Sequence, residues 1–180
     1  MFQGFSGATV DFMWGIRFNN EKGWFEAHKE EYLTTFQRPM KALADEVYVA
    51  FTDRHPDLDL ICKVSRIYRD ARRLFGRGPY KDHLWFTIRP EQEGWTHVPA
   101  FYFEIAPEGW SAGMGFYEAR SDYMARYRNK LTADPAGLKR LDARLKKQDI
   151  YQPDVQMYKK NFTPEGVPDG LGRWYQFKNL

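Results

Sequence analysis

The chain has 180 residues, of which 43% are hydrophobic, 17% aromatic and 28% charged, with a formal net charge of +3. That length suits one domain of ordinary size, since domains run about 100 to 200 residues, and so mild a charge does not by itself point to nucleic acid or a membrane. Cys62, the single cysteine, excludes an internal disulfide, and no segment approaches the roughly 20 apolar residues that span a bilayer. The opening "MFQGFSGATVDFMWGIRF" lacks the basic start and small-residue cleavage site of a secretory signal. The expectation is a cytoplasmic protein with no membrane association.

Phe12, Met13 and Ile16 recur at helical spacing over residues 8 to 18, and Asn19-Asn20 is a pair able to stop one helix and cap the next. Beyond it Phe25, His28 or Lys29, Tyr32 and Phe36 mark one face of an amphipathic helix. Pro39 biases Arg38 away from helix. Met40, Leu43, Ala44, Val47 and Phe51 then form a third stripe, ended by the turn "RHPDLD".

The period next changes to two. Leu84, Phe86 and Ile88 alternate with His83, Trp85 and Thr87, and Phe101, Phe103 and Ile105 alternate with Tyr102 and Glu104, as in strands with one buried face. "ICKVSRIYR" predicts another strand, with Cys62, Val64 and Tyr68 on one side. "PEGWSAG" predicts a turn leading to a strand "MGFYEA". Short connections imply antiparallel pairing.

At Ser121 helical spacing returns with Met124, Tyr127 and Leu131, and Asp134-Pro135 reads as an N-cap and first-turn proline for a helix carrying Leu138, Leu141 and Leu145. The tail from 148 has no clear period. Helices over 8 to 51 and 121 to 147, flanking an antiparallel sheet over about 60 to 119, predict a single α+β domain over residues 1–180.

These segments, in this order, carry a family resemblance. "FNNEKGWFEAHKEEYL" (18 to 33), "RPMKALA" (38 to 44), "SRIYRDARRLFGRGPYKDHLWF" (65 to 86) and "PAFYFEIAPEGWSAGMGFYEA" (99 to 119) resemble the domain of unknown function 2461 family, a group of conserved hypothetical proteins. The resemblance covers most of the chain and supports the fold and the motif positions, while the family name carries no reaction, cofactor or catalytic residue. Its members show Arg-Phe-Ser-Lys-Asp-Lys where this chain has Arg72 to Arg77, so a Lys-Asp pair gives way here to a more basic and flexible loop. Members also continue past "WYQFKNL", which implies a chain short at its C-terminus.

Charge is concentrated in two places. Residues 63 to 81 hold seven basic side chains against Asp70 alone, and residues 120 to 147 hold nine against Asp122, Asp134 and Asp142. The N-terminal third is acidic, so the chain is bipolar and self-association is one expected outcome. "GWSAG" matches the nucleophile-elbow pattern, but no histidine follows His97 and a strand-like run follows Ser111, so a serine hydrolase is not expected. The four histidines lack metal-ligand spacing, and no metal or cofactor is expected.

Two readings of the segment 66 to 81 stay open. In the first, Arg66 or Arg69 pairs with a buried carboxylate such as Glu104, and Arg72, Arg73 and Arg77 lie in a solvated loop. In the second, Arg66, Arg69, Arg73, Arg77, Tyr80 and Lys81 bind a phosphate-containing ligand or nucleic acid, with Gly76 and Gly78 allowing close backbone approach and Tyr80 and Trp85 stacking on a base. In an extended chain Arg66, Tyr68 and Asp70 face one way, and Ile67 and Arg69 the other. An enzymatic alternative assembles Asp70, Tyr80, Lys81 and Glu104 beside the loop, and a second alternative is a partner-binding module.

Overall fold

A computed structural model of the chain describes residues 1–91 and 94–179, with the side chains of Arg73 and Trp95 outside the described residues. The fold is α+β, with a four-stranded antiparallel sheet ordered β1-β2-β3-β4, where β1 is Leu60–Val64, β2 Leu84–Pro90, β3 Ala100–Ala106 and β4 Gly109–Gly115. The chain divides into two compact units, Met1–Glu93 with Ala100–Gly113, and Gly94–Pro99 with Met114–Leu180.

In the first unit, α1 (Gly7–Phe18) buries Phe12, Met13 and Ile16 as their spacing predicts. Asn19 ends it, its side-chain amide donating to the Gly15 carbonyl at 3.0 Å. Asn20 does not cap the following α2 (Lys22–Ala27), whose N-cap is Glu21; its side chain is engaged elsewhere, as described below.

The expected break at Pro39 does not occur. A short α3 (Lys29–Glu31) runs into a π-helical turn over Tyr32–Gln37 and then into α4 (Arg38–Arg54). Proline has no N–H to return to the carbonyl four residues earlier. That carbonyl, on Thr35, accepts instead from the Thr9 hydroxyl at 2.7 Å, and Thr9 is fully buried. A wide helical turn and a hydroxyl from α1 therefore absorb the proline that was expected to divide two helices. Along α4, Met40 and Ala44 are buried as expected, whereas Val47 is exposed and Tyr48 turns inward, its hydroxyl donating to the Leu60 carbonyl at 2.6 Å.

The sheet buries alternate residues. Leu84, Phe86 and Ile88 of β2 join the helical side chains in one core, and β2 pairs with β3 in the register Leu84↔Ile105 through Ile88↔Phe101. Two residues, Pro107 and Glu108, connect β3 to β4, so the strand starts at Gly109 rather than after Gly113. Ser111 thus lies in the second strand of a hairpin, and no helix follows it directly.

The second unit holds α5 (Ser121–Ala133) and α6 (Pro135–Leu145). Asp134 caps α6 through the Gly137 N–H at 2.8 Å, as the Asp-Pro pair predicts. Met124, Leu138, Trp174, Tyr175 and Phe177 form its core, so the aperiodic tail supplies most of the rings. Leu141, expected inside, is 46% exposed, and the next residue, Asp142, is buried in its place. Asp142 accepts from Trp174 Nε1 at 2.9 Å, Arg173 Nη2 at 2.8 Å and Lys146 Nζ at 2.6 Å. Arg128 anchors the tail similarly, donating to the carbonyls of Tyr175 (2.9 Å) and Phe177 (2.8 Å).

Two expected outcomes follow from this packing. A Cβ added at Gly78 would sit 2.2 Å from Asn20 Oδ1 and 2.5 Å from the Asn20 carbonyl oxygen, so Gly78→Ala lowers stability by about 1–3 kcal/mol, the range for forced overpacking, in chemical denaturation. The donors to Asp142, Lys146 foremost and then Trp174, hold its carboxyl at about 2 against an ordinary 3.8. Its stabilisation is complete above the ordinary value and is lost as pH falls through the lower one. Asp142→Asn should flatten the acid limb of a melting-temperature profile in that window; an unchanged limb would contradict the assignment.

Candidate functional site

The segment between β1 and β2 is built on a single bridge. β1 ends at Val64, and the chain pairs again only where Tyr68 lies opposite Tyr80. The Arg69 N–H donates to the Pro79 carbonyl at 2.8 Å and the Lys81 N–H to the Ile67 carbonyl at 2.7 Å. These bonds make a stem from which residues 70 to 79 project as a loop. Ile67 is buried and Arg69 points inward, while Arg66, Tyr68 and Asp70 face outward, as an extended chain requires. Tyr68 therefore does not join Cys62 and Val64 on the core side.

Tyr80 anchors the stem. It is 3% exposed and its ring stacks on Phe25 with centroids 4.3 Å apart. Burial pushes its phenol pKa up. Asn20 grips its backbone twice, donating from Nδ2 to the Tyr80 carbonyl and accepting the Tyr80 N–H at Oδ1, both at 2.9 Å. Arg69 Nε donates to the same carbonyl at 2.8 Å. The ring held in this way is a core side chain, with one face against Phe25. Gly78 has a matching role, because its missing side chain is the space Asn20 occupies.

Arg69 also lies 3.7 Å from Asp82, and not against the expected Glu104. Asp82 is the hub of the local charges. Arg17, in the last turn of α1, donates from Nε to Asp82 Oδ2 at 2.5 Å and from its Nη atoms to Glu108 in the β3–β4 turn. His83 Nδ1 lies 2.9 Å from Asp82 Oδ1. Burial pushes the Asp82 carboxyl up, but the hydrogen bonds from Arg17 and His83 outweigh it and hold its pKa below the ordinary value. Arg17, Asp82 and His83 were not among the expected site residues. The adjacency of Asp82 and His83 was visible in the sequence, whereas the contact with Arg17 joins residues 65 apart.

Lys81 stands differently. Its Nζ donates to the Arg66 carbonyl at 2.5 Å and lies 5.7 Å from the centroid of the Trp85 ring. Burial lowers its pKa, the charges of Arg69 and Arg66 lower it further, and Glu104 opposes them. Glu104 lines an open depression of about 280 Å³ with Glu108, Trp110 and Ser111. Of the four residues in the enzymatic alternative, the structure brings Lys81 within the electrostatic reach of Glu104, while Tyr80 is buried and Asp70 pairs outward with Arg72 at 2.7 Å. Among the described residues the Arg66 guanidinium has no hydrogen bond or ion pair.

The loop itself is a tight turn. Arg77 N–H closes on the Leu74 carbonyl at 2.9 Å, and its Nε reaches the same oxygen at 3.4 Å. Phe75 and Gly76 between them have φ of 46° and 79°, the sign pattern of a type I′ turn. Asp70 caps the loop's short 3-10 turn through the Arg72 N–H. Arg73, proposed as a ligand-binding residue, has its side chain outside the described residues. No group of three His, Cys, Asp or Glu side chains is placed to hold a metal ion, and no helix is long and apolar enough to cross a membrane, among the described residues.

A helical N-terminal region over an antiparallel sheet, with an arginine-rich loop projecting between its first two strands, defines an α+β protein of a recognisable class. The chain belongs to the Conserved hypothetical protein family (DUF2461), whose model matches residues 8–170. No curated protein and no solved structure matches it.

The two inward and outward arginines separate cleanly in a stability experiment. Arg69→Ala removes hydrogen bonds to a carbonyl and a charged partner but leaves Tyr80 with Asn20 and Asp82 with Arg17, so the expected cost is about 1.5–3 kcal/mol. Arg66→Ala should stay within about 0.5 kcal/mol of the parent. Equal losses in urea denaturation would place Arg66 in the fold as firmly as Arg69.

Proposed function

We propose that this chain is a cytoplasmic anion-binding protein that takes a phosphate-containing ligand on the outward side of the stem and loop between β1 and β2. The carrying observation is the crowding of Lys81. Lys81 Nζ donates to the Arg66 carbonyl at 2.5 Å, which sets its ammonium beside a residue whose own guanidinium has no hydrogen bond or ion pair among the described residues. Like charges gathered in this way repel, and a bound anion would relieve them.

The binding set differs from the one the residue pattern suggests. Arg69 and Tyr80 are held by the fold, and the proposed set is Arg66 and Lys81 at the stem with Arg77, whose Nε also donates to the Leu74 carbonyl, on the loop. An arginine's planar fork suits a phosphate bidentately, and an ammonium adds a point charge. The single cysteine favours the reducing compartment in which phosphorylated ligands are abundant.

The test is a titration with inorganic polyphosphate over a range of salt. Binding should be present at low ionic strength and weaken steeply as salt rises, because each neutralised phosphate releases condensed counterions. Arg66→Ala should reduce the salt slope by about 1 without changing the melting temperature of the free protein. No binding at low ionic strength would remove the proposal, and an unchanged slope in Arg66→Ala would move the site, with the exposed Arg126, Lys130, Arg140 and Arg144 of α5 and α6 as the next surface to test.

A further inference from the structure

Phe75 stands in a position that its own turn disfavours. At φ 46° it occupies the left-handed region, which in a type I′ turn is filled by Asn, Asp or Gly and rarely by an aromatic side chain. Nothing in the core repays that strain, because the ring is 82% exposed and belongs to neither hydrophobic cluster. The turn would be more comfortable with asparagine there, followed as it is by Gly76. A backbone held in an uncommon conformation to present an apolar ring to water is an observation that asks for a ligand.

Its surroundings indicate which kind. Arg72, paired with Asp70, and Arg77, bonded to the Leu74 carbonyl, stand on either side of Phe75 in sequence, and on the stem Arg66 and Tyr68 face outward, with Tyr68 51% exposed while its other side packs against Phe25 and Tyr80. Cations and exposed rings thus interleave along one continuous segment rather than converging on a point. A small phosphate ion needs converging donors and has no use for a ring. An extended polyanion that carries flat bases uses both, because the phosphates follow the cations while the bases stack on the rings.

We infer that the ligand of this site is single-stranded nucleic acid, with a base stacked on Phe75 and a neighbouring phosphate held by Arg66. This rests on the anion-binding reading above and narrows it to one ligand class. Bases in a duplex are stacked on one another and offer no free face to Phe75, so single strands should bind more tightly than duplex of the same length. Sequence preference should be weak, because every base has a face to stack.

The experiment compares the wild-type chain with Phe75→Asn, Tyr68→Ser and Arg66→Ala, using a short fluorescent oligothymidylate, its duplex with oligoadenylate, and inorganic polyphosphate. Phe75→Asn creates the asparagine-glycine pair that the turn prefers, so it should melt at or above the wild-type temperature and yet bind the oligothymidylate about fivefold or more weakly, the lower end of what one base–aromatic stack contributes. Its polyphosphate affinity should be unchanged, and Arg66→Ala should weaken both. Equal oligothymidylate affinity in wild type and Phe75→Asn, or duplex binding as tight as single strand, overturns the stacking inference while the polyphosphate result still decides the anion reading. If no polyanion binds at low salt, both fall. Capture by anionic phospholipid vesicles that Phe75→Asn abolishes, without oligothymidylate binding, would assign the ring to a lipid surface and overturn the inference as well.

Discussion

The double grip of Asn20 on the backbone of Tyr80 is the contact on which the rest of the basic segment depends. Without it the chain between β1 and β2 would be a long excursion tied to the sheet only at its ends, and closing such a loop has an entropic cost that one bridge does little to offset. With it, the N–H and the carbonyl of one buried residue are both satisfied from the corner between α1 and α2. The aromatic ring of that residue is fixed against Phe25, and the opposing strand is drawn in at Tyr68. Burial of the ring and satisfaction of its peptide groups reinforce each other, because a buried peptide group left unpaired would be costly. The grip also explains Gly78, whose lack of a side chain serves the approach of Asn20 rather than that of a ligand.

Arg17 and Asp82 extend the same corner to the sheet. One guanidinium joins the end of α1 to the start of β2 and to the turn between β3 and β4. Planar forks suit this kind of bridging, which a lysine would not reproduce. The consequence is a division of labour among the positive charges. Those that point inward hold elements together, as Arg17 and Arg69 do in the first unit and Arg128 does in the second. Arg66 points outward, and its guanidinium makes no hydrogen bond or ion pair among the described residues.

Periodicity made the elements legible because it reports burial directly. It placed the α1 face, the inward side of β2 and the alternation of Ile67 and Arg69 against Arg66 and Tyr68, while residue type placed the cap of α6. It failed where a neighbour distant in sequence supplied what the local chain lacked. Pro39 reads as a break, and the hydroxyl of Thr9 cannot be seen from it. Leu141 reads as core, whereas the buried position belongs to Asp142, whose charge is tolerable only because Lys146, Trp174 and Arg173 converge on it. Residue type had suggested a carboxylate such as Glu104 as the partner of Arg66 or Arg69, whereas Arg69 lies against Asp82, one of several carboxylates that composition cannot rank.

The same reasoning explains why the candidate site was only half visible. A run of arginines in the sequence looks uniform, and Tyr80 beside it looks like part of a binding surface. What distinguishes these side chains is the direction each faces, and that is set by the Tyr68–Tyr80 bridge rather than by the run itself. Direction turns Arg69 and Tyr80 towards the fold and Arg66 towards solvent. Phe75 shows the complementary case. Nothing in "RRLFGR" marks the phenylalanine as unusual, since apolar residues are common at loop edges and single exposed ones need no explanation. It becomes informative only when its positive φ is known, because a bulky ring in a turn suited to asparagine must be offset by something other than the turn. The strain is local, the exposure is local, and the core gains nothing from either, so the ring's role is not legible from packing.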